Sequence, residues 1–402
     1  MTTSTASVDI PYFEISDPTF SMQSEAVRDA RERSWYARSS YGISVLRYEE
    51  VSELLKSPHL NQGSAKWPDH HGVHGGIFYD WWVKNLLVLE GDEHHRIRRL
   101  LNPAFSPTAA RRLEPQFAAL AEELIADFGD RTEIEFVRDF AEPFATRALC
   151  IMLDIPHDDW RFIAEHANTI GFALSVSIKD DIDRIDDAVT ELYRYVETLI
   201  QQRKGTPGQD VVSRLVQFSE AGDKLSDEEL RNALVLMLFG GMDTTRNQLG
   251  LLIQTFLRHP DQWELLAARP ELARQALDEG LRVNPTTTWV TREANEDFTY
   301  RGLDIAKGTT VHLFTQTSGT DPRAYPADEI DIAAEDRLPH HTFGGGMHHC
   351  LGHYIARADM SVALPILAKH LTNLACPGGD TWLPDSGNTG PIVYPLTFTR
   401  RG

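Results

Sequence analysis

The chain has 402 residues, of which 42% are hydrophobic and 24% charged, and its formal net charge is −20. A chain of this composition can bury a large core, and so strong a negative charge argues against nucleic acid as a partner. Three cysteines (Cys150, Cys350 and Cys376) are too few for a disulfide framework and favour a reducing compartment.

The first ten residues are polar and lack both the basic start and the apolar run of a secretory signal. No apolar run approaches the ~20 residues that cross a bilayer. The sequence therefore predicts a cytoplasmic protein without a membrane anchor. We expect residues 1–402 to form a single domain in which about residues 1–8 are disordered.

Helical periodicity dominates from about Pro107 to Leu281. Strand-like runs flank it on both sides, at residues 43–47, 298–300, 309–314 and 393–399. Helices in the middle and small sheets contributed by both ends predict a single α+β fold that is mainly α.

Residues 61–89 form a long irregular stretch that is rich in aromatic and imidazole side chains. Rings with polar edges suit a ligand that has both apolar and hydrogen-bonding parts, although packing into the core is the alternative. The rings of greatest interest are those of Phe78, Tyr79 and Trp82. Phe172 and Leu174 lie between two helical patterns and are candidates for a mobile lid.

The segment Asp92–Arg99 mixes acidic and basic groups. His94 and Arg98 are four residues apart and would share one face of a helix. The other basic side chains of this part of the chain either lie on a solvated helix face or dock an acidic electron-transfer protein. They are Arg96, Arg99, Arg111 and Arg112.

The best-marked element is a long helix that begins at the capping box Ser226–Glu229 and ends at His259-Pro260. Midway along it stands Phe239-Gly-Gly-Met-Asp-Thr-Thr245, whose glycines and hydroxyl residues are poor choices for a helix interior. Glycine opens room beside the helix, and the Thr244 hydroxyl can bond a loosened carbonyl. Such a local inconsistency indicates a functional site, and a purely structural kink is the alternative.

The most informative motif is Phe343-Gly-Gly-Gly-Met-His-His-Cys350-Leu-Gly352-His-Tyr-Ile-Ala-Arg357, in which one cysteine separates a glycine-rich turn from an amphipathic helical stretch. A thiolate is stable at a helix N-terminus, because free N–H groups and the helix dipole favour negative charge. Glycines let a bulky ligand approach the backbone. The alternatives are a structural cysteine in a turn and a zinc site, but zinc sites usually use several thiolates or regularly spaced histidines.

This motif resembles the haem-binding signature of the cytochrome P450 family. The resemblance implies that Cys350 is the thiolate ligand of haem b. Further positions that match the family's haem contacts are Phe343, Gly344, His348, Gly352 and Ala356. Residues 239–245 are similar to the family's oxygen-binding segment, in which an acid–alcohol pair, here Asp243 and Thr244, relays protons. Gly240, also a haem contact, stands where alanine is usual.

The resemblance also implies cationic partners for the two haem propionates. The residues at the matching positions are His94, Arg98, Arg292 and His348. Glu279 and Arg282, one helical turn apart, match a buried Glu-x-x-Arg pair that braces the core on the haem side. Arg337 lies a few residues later than the usual third partner, and the sequence leaves open whether it completes a triad.

The resemblance places several apolar and aromatic side chains around a substrate pocket. They are Phe78, Tyr79, Trp82, Phe172, Leu174, Phe239, Trp289, Val290 and Thr389. The implied enzyme is a monooxygenase that inserts one oxygen atom from O2 into a small molecule. We expect an aromatic or amide-bearing secondary metabolite, or its precursor, as the substrate, and hydroxylation as the outcome. The same motifs are compatible with epoxidation, aromatic coupling or nitration.

Electrons are expected from NAD(P)H through a separate ferredoxin and ferredoxin reductase, because one fold uses the whole length of the chain. Two alternatives remain. A peroxide-driven peroxygenase usually lacks the acid–alcohol pair, so Asp243 and Thr244 argue against it. A noncatalytic haem-binding protein would keep Cys350 without needing a proton relay.

Overall fold

The computed structural model describes residues 10–401 with the exception of 176, 207, 209, 221–224, 326–329 and 386. The disorder expected for residues 1–8 lies outside this part of the chain. The described residues form a mainly helical fold with small sheets, as the sequence predicts. None of the helices among them is long and apolar enough to cross a membrane.

The helices are, in chain order, α1 Glu25–Arg33, α2 Tyr48–Leu54, α3 Trp67–His70, α4 Ile77–Trp82, α5 Gly91–Leu101, α6 Pro107–Ala126, α7 Glu142–Leu153, α8 Trp160–Gly171, α9 Ile182–Gly205, α10 Val211–Glu220, α11 Asp227–Arg258, α12 Pro260–Ala268, α13 Ala273–Val283, α14 Thr315–Gly319 and α15 His353–His370. A short π-helical turn, Val137–Ala141, leads into α7. The region of predicted helical periodicity therefore corresponds to α6 through α13.

The strands are β1 Tyr12–Phe13, β2 Tyr36–Ser39, β3 Gly42–Val45, β4 Leu60–Gln62, β5 Glu133–Glu135, β6 Trp289–Ala294, β7 Phe298–Tyr300, β8 Leu303–Ile305, β9 Thr310–Phe314, β10 Leu371–Ala375, β11 Thr381–Trp382, β12 Pro391–Val393 and β13 Pro395–Arg400. The largest sheet has the order β1-β2-β3-β9-β6-β4, and smaller sheets have the orders β10-β13-β5, β11-β12 and β7-β8. Both chain ends contribute strands, as expected.

Three of the four predicted strands are observed within a residue or two, as β3, β7 and β9. The fourth, predicted at 393–399, is divided between β12 and β13. Pro395 explains the division, because proline cannot donate to a strand ladder and is tolerated at the first position of a strand.

The central helix α11 positions much of the site. Its capping box is present: the Ser226 hydroxyl accepts from the Glu229 N–H at 3.2 Å, and the Glu229 carboxylate accepts from the Ser226 N–H at 2.7 Å. The helix stays α-helical through Gly240 and Gly241. Nearer its end the C-terminal hairpin, which consists of β11, β12 and the loop between them, lies directly on it, since a side chain at Gly250 would collide with Pro391.

Candidate active site

The loop before α15 holds Cys350 at the start of that helix. Gly344 and Gly346 adopt left-handed backbone angles, with φ of 67° and 66°. A side chain at Gly346 would also lie 2.6 Å from the Leu55 carbonyl oxygen, so glycine is required there. The Cys350 N–H donates to the Phe343 carbonyl at 2.8 Å, which closes the loop and fixes the position of the sulfur.

The groups around Cys350 shift the pKa of its thiol in opposite directions. Burial raises the pKa of the Cys350 thiol, whereas the backbone N–H groups of Gly352 and His353 and the guanidinium groups of Arg98 and Arg357 act to lower it. A metal cation bound at the sulfur would decide this balance, because a coordinating thiol is deprotonated outright.

An imidazole pair lies on the neighbouring helix α5 and the cysteine loop. His94 is buried, its ring centroid lies 4.4 Å from that of His348, and its ring nitrogens make no hydrogen bond to a described residue. Burial, followed by the charges of His348 and Arg98, lowers the pKa of His94 to about 4. Nε2 of His348 lies 3.3 Å from a Glu90 carboxylate oxygen.

Two guanidinium groups complete this cluster. Arg292 is 3% exposed and donates to the backbone carbonyls of Thr291 and Gly345 at 3.0 and 3.3 Å. Its burial lowers the pKa of Arg292 to about 10. Arg98 donates to the His349 carbonyl. Neither guanidinium has a carboxylate ion-pair partner among the described residues, and a buried cation without one is unfavourable. The cluster therefore fits a ligand that brings its own carboxylates.

The middle of α11 supplies an uncovered face. Gly240 and Gly241 are exposed although Phe239 and Met242 beside them are buried, and a side chain at Gly240 would meet no atom within 4 Å. The Thr244 hydroxyl donates to the Gly240 carbonyl at 3.1 Å, as predicted for a loosened carbonyl. A bare helix backbone, a cysteine at a helix start and guanidinium groups without carboxylate partners among the described residues together fit haem with a thiolate ligand and two propionates.

Asp243 is buried on the same helix and both of its oxygens are occupied. Oδ1 accepts from Arg246 at 2.8 Å. Oδ2 accepts from the side-chain amides of Asn388 at 2.7 Å and Asn247 at 3.2 Å. Asp243 and Thr244 are thus neighbours on α11, but their side chains have different hydrogen-bond partners.

Comparison with known proteins decides what this arrangement is. The family model "Cytochrome P450" matches residues 170–397. The chain is 34% identical, over 97% of its length and 96% of the relative's, to luteothin monooxygenase of Streptomyces thioluteus.

The protein belongs to the cytochrome P450 family. It is also 30% identical to mycinamicin IV hydroxylase/epoxidase of Micromonospora griseorubida, over 88% of this chain and 89% of the relative. The crystal structure of CalO2 superposes with a TM-score of 0.85 at 28% identity, covering 95% of this chain and 99% of that one. The expected fold and the expected P450 monooxygenase activity are therefore confirmed, and the family implies a haem-thiolate cofactor and the use of O2.

The buried Glu-x-x-Arg pair of this P450 is present and has a third partner. Both oxygens of Glu279 accept from Arg282, at 2.8 Å each, and both side chains are almost fully buried. Arg337 reaches the same carboxylate at 3.3 Å. The structure therefore answers the question that the sequence leaves open: Arg337, although late in the sequence, contacts Glu279.

Four of the predicted substrate contacts are buried aromatic side chains. Phe78 and Trp82 are buried and pack on each other, and Phe239 packs edge-on against the buried Trp81. Trp289 stacks on Phe314. Their roles as substrate contacts stay predictions.

The other predicted substrate contacts lie elsewhere. Val290 follows Trp289 on β6 and so points to the opposite face, where its methyl lies 3.8 Å from the Cβ position of Gly344. Tyr79 and Leu174 are partly buried, and Phe172 is 38% exposed. Thr389 is buried at the tip of the C-terminal hairpin and bonds the Leu383 carbonyl at 3.0 Å.

Sequence reasoning missed the partners of Asp243. Arg246 and Asn247 follow it at three and four residues, and this helical spacing could have revealed them. Asn388 lies 145 residues away, and no local pattern points to it.

Proposed function

We propose that this P450 inserts one oxygen atom of O2 into an aromatic or amide-bearing secondary metabolite or its precursor, with hydroxylation as the outcome. Electrons come from NAD(P)H through a separate ferredoxin and ferredoxin reductase. The observation that supports the proposal is the Cys350 loop beside Arg98 and Arg292, which have no carboxylate ion-pair partner among the described residues, together with a helix that carries an acid next to an alcohol.

In this proposal Cys350 binds the iron of haem b. The propionates pair with the cationic cluster, and the cofactor is in contact with Phe343, Gly344, Gly352, Ala356 and Gly240. Haem supplies O2 binding and the oxidising chemistry when it is bound. The chain supplies the ligand, the shape of the site and the protons.

Thr244 and Asp243 hold and move the protons. The Thr244 hydroxyl gives its hydrogen to the Gly240 carbonyl, so its lone pairs remain able to accept another. Asp243 is 4% exposed and is bonded by side chains on α11 and the C-terminal hairpin, so its carboxyl group lies away from bulk water. We infer that protons pass from Asp243 to Thr244 and onward.

The substrate pocket is proposed to lie near Tyr79, Phe172, Leu174 and Val290. Phe172 is stacked under the guanidinium of Arg184 at 5.2 Å, and the Tyr79 hydroxyl lies 3.4 Å from the Asp69 carboxylate. Such rings with polar neighbours suit an aromatic ligand that also forms hydrogen bonds. Luteothin and mycinamicin IV, which appear in the names of the two relatives, are the first compounds to test.

The electron donor is proposed to dock on a surface formed by Arg99, Arg111 and Arg112. All three are exposed, and none has an ion-pair partner among the described residues. Arg96, predicted with them, pairs with Glu229 at the start of α11 and so contributes less. Reversing Arg112 to Glu should raise the KM for ferredoxin at low salt, because complementary charge steers association. Arg33→Glu, an exposed arginine on α1, should leave it unchanged.

The test of the function has two stages. The dithionite-reduced protein should give a strongly red-shifted Soret band with carbon monoxide, as thiolate ligation requires. The reconstituted enzyme, with a ferredoxin, its reductase, NADPH and each candidate compound, should then yield an oxygenated product whose oxygen derives from ¹⁸O2. Turnover with hydrogen peroxide alone at the same rate would favour the peroxygenase alternative. Haem binding without any turnover would favour the noncatalytic one.

A further inference from the structure

Asp243 is bonded by side chains on α11 and on the C-terminal hairpin, and two further elements contact it through Arg246. Arg246 on α11 bonds its Oδ1 and is itself bonded to Asn168 of α8 at 2.6 Å, with a Glu142 carboxylate oxygen of α7 at 3.9 Å. On the other side, Asn388 of the C-terminal hairpin bonds Oδ2. The charged groups near Asp243 in this network are therefore the Arg246 guanidinium and, beyond it, the Glu142 carboxylate. The other groups are the neutral amides of Asn168, Asn247 and Asn388.

Asn388 is fixed from its other side as well. The Thr286 hydroxyl oxygen lies 2.7 Å from Oδ1 of Asn388 and also 2.7 Å from the Thr389 carbonyl oxygen. A β-bridge between Thr287 and Asn388 holds the backbone beside it. The side-chain amide of Asn388 therefore stands between the acid and a hydroxyl, with one end facing each.

When Asp243 is ionised, the hydrogen bonds that link it through Asn388 to Thr286 leave one acceptor without a donor. A carboxylate only accepts, so Asn388 must turn its NH2 toward it and its Oδ1 toward Thr286. Oδ1 and the Thr389 carbonyl are both acceptors, and Thr286 has a single hydroxyl hydrogen for the two of them. One acceptor is then poorly satisfied, which is unfavourable in a partly buried site.

When Asp243 holds a proton and the Asn388 amide is reversed, each of these acceptors receives a hydrogen bond. Oδ2–H of Asp243 donates to Oδ1 of Asn388, the Asn388 NH2 donates to the Thr286 oxygen, and the Thr286 hydroxyl donates to the Thr389 carbonyl. Every donor in this chain then has its own acceptor. Reversal exchanges the oxygen and nitrogen of the amide with little movement of either atom.

We propose that Asn388 is a positioning residue that lets Asp243 alternate between ionised and protonated forms by reversing its side-chain amide. Taking up a proton from solvent reverses the amide in one direction, and the Thr286 hydroxyl hydrogen turns from Oδ1 of Asn388 to the Thr389 carbonyl. Giving that proton to Thr244, whose own hydroxyl hydrogen passes onward, reverses both changes. The inference rests on the proposed proton relay. It adds that the C-terminal hairpin, through Asn388, is part of the proton path.

The amide orientation can be read by NMR on protein labelled with ¹⁵N-asparagine, as the diamagnetic ferrous carbon monoxide complex. Asn388→Leu identifies the Asn388 resonance by its loss.

Asp243→Asn imitates the protonated acid, because its NH2 can donate to Oδ1 of Asn388. In that variant the Asn388 NH2 faces Thr286, so adding Thr286→Val should shift its resonance strongly. With Asp243 intact at neutral pH, the same NH2 faces the carboxylate and Thr286→Val should shift it little. Equal shifts in the two backgrounds would overturn the proposal.

Coupling of electron use to product formation gives the second measurement. Asn388→Leu removes the acceptor for the acid proton and should increase peroxide release several-fold, with the substrate Kd unchanged and no further increase when Asp243→Asn is added. Asn295→Leu is the control, because the Asn295 amide also joins two elements, at 2.9 and 3.0 Å, but on the β4–β6 side. Normal coupling in Asn388→Leu, with uncoupling in Asp243→Asn, would overturn this inference alone. Normal coupling in both, and in Thr244→Ala, would overturn the proton relay itself.

Discussion

The Glu279 cluster gives a graded prediction about stability. Glu279 accepts hydrogen bonds from Nε and Nη2 of Arg282, from the Asp331 N–H at 3.0 Å and from Arg337 at 3.3 Å. Glu279→Gln removes the charge and points an NH2 group at donors, so the buried Arg282 guanidinium loses the carboxylate that accepts two of its hydrogen bonds. Breaking a buried ion pair from one side costs ~3–5 kcal/mol of unfolding free energy. Arg282→Met should cost a similar amount.

Arg337→Met should cost less than ~1 kcal/mol, because this side chain is 23% exposed and its contact is longer. Arg274→Met is the matched control: it breaks an exposed ion pair with Asp278 on the same helix and should cost ~0.5 kcal/mol or less. The assay is urea unfolding of the haem-loaded protein, followed by circular dichroism and by the Soret band, with the midpoints compared at equal slopes. A Glu279→Gln loss below ~1 kcal/mol would refute the buried pair as a stabilising unit. If Arg337→Met lowered the free energy of unfolding as much as Arg282→Met does, the inference that Arg337 contributes little would be refuted.

Three further predictions concern the haem site. Cys350→Ser should abolish the thiolate-type carbon monoxide spectrum, whereas Cys150→Ser, at a buried core position, should keep it. Thr244→Ala should retain haem but shift electron use toward peroxide release several-fold; Thr255→Ala, which loses the same kind of hydroxyl-to-carbonyl bond at 2.8 Å on the same helix, should not. Arg292→Leu should speed haem transfer to apomyoglobin several-fold, because a propionate loses its buried cation, and an unchanged transfer rate would place the propionate elsewhere.

Local signals in the sequence predicted much of the fold. The capping box of α11 is satisfied as expected because its two hydrogen bonds join residues three apart. The predicted strand at 393–399 is divided in the structure at Pro395. The prediction missed the division because it followed the run of β-favouring residues. The sequence did not show how the aromatic rings pack: Phe78 and Trp82 are buried against each other, and Trp289 stacks on Phe314.

The sequence by itself determined the family and predicted the cysteine ligand and the acid–alcohol pair, because each of these motifs consists of residues that are close in the chain. Tertiary structure alone decided the third partner of Glu279, since Arg337 reaches it from 58 residues away. It alone also showed that both oxygens of Asp243 are occupied, one of them by an amide on a hairpin that α11 meets only after folding. Hydrogen bonds of this kind join chain segments whose separation leaves no periodic trace in the sequence.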